Sequence, residues 1–320
     1  MLMNFDAVSK LIESNELLHI AGTENLLRKL PKGQWIGGST EYFMAKPEGK
    51  ISDELMFVTK LSAKNFSIKS YDTSGIKNIA ADAFDTGFSI VIIPFDSAVH
   101  TEYAENAAEF ENMFMKNVAG WISGLNLGKS GQTPIAVNGV TGEVFSDKAV
   151  GLHLELPSDK TVSVNIINIF EIDEKSPVIK FTEEGFAVKK CFIDGKEVVF
   201  ADYIAENVID TKLPLIGEYS GAGVNVSFRS IENGIVNLYA PVFNNIDYRL
   251  AKSIPDYMAA FRSNIDAIKT PNAVFSCNCI LNFLYGELEG KDIEKFEGPI
   301  TFGEVAYQLV NQTLVYVSVQ

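Results

Sequence analysis

An α+β fold of two subdomains, each a mainly antiparallel β-sheet with helices packed on its faces, is what the sequence predicts. Three observations carry this. Apolar and β-branched residues come in short runs, broken by Gly, Pro, Asn and Asp. Stretches with helical spacing are few and lie between those runs. A turn-rich, charged segment at 171–176 closes one half, and a short helix followed by a glycine-rich strand occurs at 30–39 and again at 213–221. Two related halves or coincidence would account equally for that match. The subdomains are placed at 1–180 and 181–320.

The elements follow in order. Phe5, Val8, Leu11, Ile12, Leu17 and Leu18 repeat at helical spacing, which predicts a helix over 5–20. Thr23 suits the cap of a second short helix, and Pro31-Lys32-Gly33 breaks the chain. Short β-type segments follow at 35–36, 41–45, 55–61 and 66–71. Residues 74–84 have helical spacing, and 88–93 form a continuous apolar run, as in a strand covered on both faces. Tyr103, Ala107, Phe110, Phe114 and Val118 form a stripe that predicts one or two helices over 97–125. A Gly/Ser loop at 126–132 leads to strands at 134–138, 149–156 and 161–170. In the second half, strands are expected at 178–181, 186–193, 198–200, 213–219, 222–229 and 234–240, with Asp194-Gly195 as a hairpin turn. Helices are expected at 201–207, 254–268 and 279–286, and strands at 273–277 and 313–319.

Charge and cysteine content exclude several classes. The chain of 320 residues has a formal net charge of −14, which repels nucleic acid and anionic membranes. The 22 Phe and 11 Tyr exclude intrinsic disorder. Cys191, Cys277 and Cys279 are too few for a disulfide framework and suit a reducing, cytoplasmic setting. The first residues carry no charged signal-peptide start, and no apolar run reaches membrane-span length.

Several motifs suggest chemistry. Residues 124–130, GLNLGKS, have the composition of a phosphate loop but not its spacing. With a helix expected before them and strands after, they read as a helix cap and loop. Cys277-Asn278-Cys279 is the densest thiol feature, either buried small hydrophobes or a polarised thiol in a pocket. Ser97 and His100 follow the buried strand at 88–93, a corner where α/β sheets hold ligands; the plainer reading is a helix cap and its first turn. His153 alternates with apolar residues and reads as a half-buried strand residue. No metal site or cofactor is expected.

Residues 181–196, FTEEGFAVKKCFIDGK, lead into a helix; Val274-Phe275-Ser276-Cys277 ends a strand in a cysteine; and Thr301-Phe302-Gly303-Glu304-Val305-Ala306 is followed by Asn311-Gln312-Thr313-Leu314. In their order and spacing these three stretches together resemble the FIST family of sensory domains. The glycine turn Trp35-Ile36-Gly37-Gly38-Ser39-Thr40 is similar to the family's early turn. No arginine follows Cys277, which is a departure from the family pattern; the ligand charge met there is then either absent or met elsewhere, by Arg249 or Arg229. The resemblance implies a stand-alone member with FIST N-like and FIST C-like units, which binds a small ligand such as an amino acid or its derivative and passes occupancy to a signalling protein without catalysis. The ligand-binding residues expected are Gly37, Gly38, Ser39, Thr40, Ser97, His100, Cys277, Asn278, Gly303 and Glu304. Gly303-Glu304 and 276–279 are expected to meet and line the pocket. The alternatives are a hydrolase-type enzyme with Cys277 or Ser97 as nucleophile, and a protein-binding scaffold.

Overall fold

The computed structural model describes residues 1–219, 221–292 and 295–320. Ser220, in the second glycine-rich stretch, falls outside the described residues. Strand outweighs helix, 42% against 17%, and most strand pairs are antiparallel, so the α+β class holds. The chain divides into two compact units. Unit 1 comprises Met1–Ile167, Ile265–Leu309 and Thr313–Gln320; unit 2 comprises Asn168–Asn264 and Val310–Gln312. This differs from a single cut at residue 180. The strands Ala273–Cys279 and Thr313–Val319 pair with each other, and Gly298–Thr301 joins them to Tyr42–Met44, which ties these C-terminal strands to the N-terminal part of unit 1.

Unit 1 holds three six-stranded sheets. Three parallel pairs stand out among the antiparallel ladders, and a helix joins the strands of each. They are Leu17–Gly22 with Trp35–Ser39, Gly87–Pro94 with Val118–Ser123, and Ala273–Cys279 with Gly298–Thr301. Parallel neighbours cannot be joined by a tight hairpin, so each pair needs such a crossover. Their strands are almost wholly buried, as β-branched and aromatic runs such as Ser89–Ile93 and Val118–Ile122 require. Trp121 Nε1 donates to Nε2 of His19 at 2.8 Å deep in this core. The imidazole therefore accepts there, and burial holds its pKa down to about 3.

In unit 2, six strands form one sheet and Gly185–Val188, Ile235–Val242 and Phe228–Glu232 form another. The hairpin Lys190–Ile193 to Lys196–Val199 turns on Asp194 and Gly195, both at positive φ, the signature of a type I′ turn.

The helical expectation over 5–20 ends early. The helix is Phe5–Glu13; Asn15 adopts a left-handed conformation and Leu17–Gly22 becomes a fully buried strand. The expectation over 97–125 is also corrected. The helix spans only Ala98–Asn106, and Asn112 at φ +63 precedes the strand Val118–Ser123. Phe114 is 60% exposed while Val118 is buried, so the apparent stripe is not one helix face. Residues 74–84 hold only the 3-10 turn Ile76–Asn78. Among the described residues, no helix is long and apolar enough to cross a membrane.

Candidate functional site

The carboxyl ends of one parallel pair and of one strand of a second converge on a cavity of about 320 Å3 in unit 1. Leu17–Gly22 delivers Thr23 and Glu24 to it, Trp35–Ser39 delivers Ser39, Thr40 and Glu41, and Val118–Ser123 delivers Gly124 and Leu125. Crevices outside the carboxyl ends of parallel strands are where α/β sheets hold ligands, because the chain must splay there into loops.

Glu41 is the centre of this site. Its side chain is 4% exposed, yet it is ionised. Burial disfavours the charge, and hydrogen bonds from Lys129, Asn126 and Gln132 outweigh burial and hold the carboxyl below the usual range. Oε1 accepts from Gln132 Nε2 at 2.8 Å; Oε2 accepts from Asn126 Nδ2 and Lys129 Nζ, each at 2.8 Å. Lys129 also reaches Asp53 Oδ2 at 3.0 Å. Gln132 in turn accepts from the Asn126 amide, and the Tyr42 hydroxyl accepts from the Leu127 amide. One carboxylate thus straps the loop 124–134 across the cavity. The loop follows a strand and not the expected helix, and no helix opens after it.

Of the residues nominated from sequence, Ser39 and Thr40 line this cavity. Their hydroxyls are already engaged. Ser39 Oγ donates to Gly124 O and accepts from the Ile135 amide; Thr40 Oγ1 donates to Ile300 O and accepts from the Tyr42 amide. They shape the floor and their hydroxyl donors are spent. Gly37 and Gly38 do not reach the cavity: a Cβ on Gly38 would collide with Ile92 and Trp121, and one on Gly37 with Trp35, so both serve close packing.

Ser97 and His100 stand elsewhere. Ser97 Oγ donates to Pro94 O at 2.6 Å and accepts from the His100 amide, capping the helix Ala98–Asn106. His100 is buried against Phe95.

Cys277, Asn278, Gly303 and Glu304 do come together, but in a sealed core and not in the cavity. Asn278 Oδ1 accepts from Asn282, and its Nδ2 donates to Met44 Sδ. The Cys277 thiol donates to Gly120 O, and burial raises its pKa well above normal. Gly303, at φ +155, lets the chain turn between Phe302 and Glu304. Glu304 is fully buried, with no cation on it among the described contacts. Burial pushes its carboxyl up to about 8, against the lowering effect of hydrogen bonds from Thr313 and Thr301. The pattern suits the protonated acid: Oε2 accepts from the Thr313 amide and hydroxyl, while a proton on Oε1 can go to Thr301 Oγ1, leaving that hydroxyl free to donate to Asn278 O.

Sequence reasoning does not find Glu41, Lys129 or Asp53. A lone glutamate after a threonine carries no motif, and Lys129 lies in a loop with the composition of a phosphate loop but not its spacing. His153 is fully buried, not half-buried: it bridges Tyr71 and Ser89 as a neutral ring, with burial lowering its pKa to about 4.

No curated protein matches the chain. One family profile does match, over residues 3–320, and it carries the description "family of unknown function". The chain is therefore a member of that family, DUF6976.

Proposed function

We propose that this protein is a non-catalytic binder of a small zwitterion of the amino-acid class, held in the cavity beneath the loop 124–134. One observation carries the reading. Lys129 sits on the cavity wall, and two of its three N–H donors are spent, on Glu41 and Asp53. The third is left for a ligand carboxylate. Asp53 uses Oδ2 on Lys129 and is exposed enough for Oδ1 to take a ligand ammonium. Glu24 on the same rim is paired with Arg28 and competes less.

The non-catalytic part is supported by the two nominated nucleophiles. Ser97 is a helix cap with its proton committed to a carbonyl, and the Cys277 thiol is sealed and hard to ionise. The sensory part, and a signalling protein as partner, rest on the FIST-like stretches alone; the cytoplasmic setting rests on the cysteine usage.

A thermal-shift screen of the free amino acids and their N-acetyl and amide derivatives tests the reading. A ligand that binds the folded state raises the melting temperature by mass action, with blocked-amine and blocked-carboxyl forms weaker. A screen in which no free amino acid shifts the melt contradicts it.

A further inference from the structure

A second cavity in unit 1 has a different chemistry. It measures about 930 Å3, within the range of ligand pockets, and the strand Met56–Leu61, the turn 156–160 and the start of Ala273–Cys279 form its walls. Its floor is apolar: Phe57, Phe88, Leu156, Phe275 and Phe296. Its rim is cationic. Lys60, Lys64, Lys160 and Lys295 line it, and Glu297 is the lone carboxylate among the lining residues. Three of these lysines have a carboxylate beside them, Glu16, Glu155 and Asp266, so Lys160 is the one that brings positive charge without an ion-pair partner among the described residues.

The lysines are not equivalent. Lys295 is committed to the carbonyls of Ile265, Asp266 and Ile268, with the Asp266 carboxylate 3.8 Å away. Lys60 pairs with Glu16 and Lys64 with Glu155, both exposed bridges that a ligand can compete for. Lys160 is exposed and makes no ion pair among the described residues. An apolar trough with a cationic mouth complements a molecule with an apolar tail and one negative head.

We propose that this cavity binds a single-chain amphipathic carboxylate, a fatty-acid anion, with the chain over the phenylalanine floor and the head at Lys160 and Lys64. This site is separate from the zwitterion cavity and shares no lining residue with it.

The test is calorimetric titration of the full chain with octanoate, decanoate and dodecanoate below their micelle concentrations, with dodecanol as the uncharged control. Affinity is expected to rise about threefold to fourfold per added methylene, since each buries comparable apolar surface. Lys160→Glu is expected to weaken dodecanoate about fivefold. Ser62→Trp, an exposed lining position that can be enlarged without touching the core, is expected to abolish binding while the melting temperature stays near the parent's. Absence of saturable binding, affinity independent of chain length, dodecanol binding as tightly as dodecanoate, or binding untouched by Ser62→Trp would each overturn the proposal. So would binding to phosphatidylglycerol vesicles without binding to the monomer.

Discussion

Glu41 and Glu304 lie in the same unit, and both are almost completely removed from water, at 3% and 0% exposure. Glu41 has a lysine and two carboxamides on it and is ionised. Glu304 has two threonine hydroxyls, a backbone amide and the Cys279 thiol, with no full positive charge on it among the described residues, and keeps its proton to about pH 8. Burial alone therefore does not set the charge of a carboxyl group; the partners do. The difference also separates roles. A charged group at a cavity wall can organise a loop and a ligand, whereas a neutral acid in a sealed core acts only as a bridge between strands.

The same substitution should act with opposite sign at the two sites. Glu304→Gln places an amide where the protonated acid stands, with its NH2 able to donate to Thr301 and its oxygen able to accept from Thr313. The folded carboxyl has pKa about 8 against 4.5 for the free group. Its stabilising contribution is therefore complete below pH 4.5 and falls by about 1.4 kcal/mol per unit as pH rises toward 8. His19 and His153 have the reverse sign. Their folded pKa values, about 3 and about 4, lie below 6.5, so their contribution is present above pH 6.5 and is lost as pH falls. Between pH 6.5 and 8 the N-terminal ammonium also titrates, since burial lowers its pKa from 8 to about 6, and its rising contribution offsets the fall from Glu304, so the carboxyl is read from the difference between parent and variant. Glu304→Gln should remove only the Glu304 fall, and so be about 2–4 kcal/mol more stable than the parent at pH 8 and equal to it near pH 4.5, by urea unfolding across pH. An unchanged pH profile would break the comparison.

At Glu41 the substitution to glutamine should destabilise. The new amide would turn an NH2 toward donors from Lys129, Asn126 or Gln132, and a loss of about 2 kcal/mol is expected, as for a hydrogen bond to a charged group. Cleavage by protease should move to the loop 124–134, read by mass spectrometry of limited digests. A digest pattern identical to the parent's would show that Glu41 does not hold the loop.

Ser97→Ala should have the smallest effect. Losing the cap should cost about 1 kcal/mol in urea unfolding. Amino-acid binding should be untouched, because Ser97 does not line the cavity.

Much of the strand order is legible in the sequence because period-two and continuous apolar runs are local signals. The hairpin at Asp194-Gly195 and the caps Thr23 and Ser97 are legible for the same reason. Val118–Ser123 reads as helix because its residues continue a helical stripe, and pairing with Gly87–Pro94 on one side and Glu304–Ala306 on the other, both distant in the chain, makes it a strand. Ser39 and Thr40 are found through their glycine turn. Glu41 is not, since its partners arrive from a loop more than eighty residues away. Glu304 and Asn278 do meet as the sequence suggests, but the threonines and the thiol that seal them come from three strands, which no local pattern reveals.

The cavity at Glu41 and Lys129 is the centre of the proposed function, and calorimetric titration with free amino acids tests it most directly, on the parent and on Thr133→Trp, an exposed position on the cavity wall. Saturable one-to-one binding of at least one free amino acid is expected, weakened about tenfold or more when its amine is acetylated and lost in Thr133→Trp, which should melt like the parent. Flat heats for every free amino acid up to about 10 mM, or binding that Thr133→Trp leaves unchanged, would contradict it.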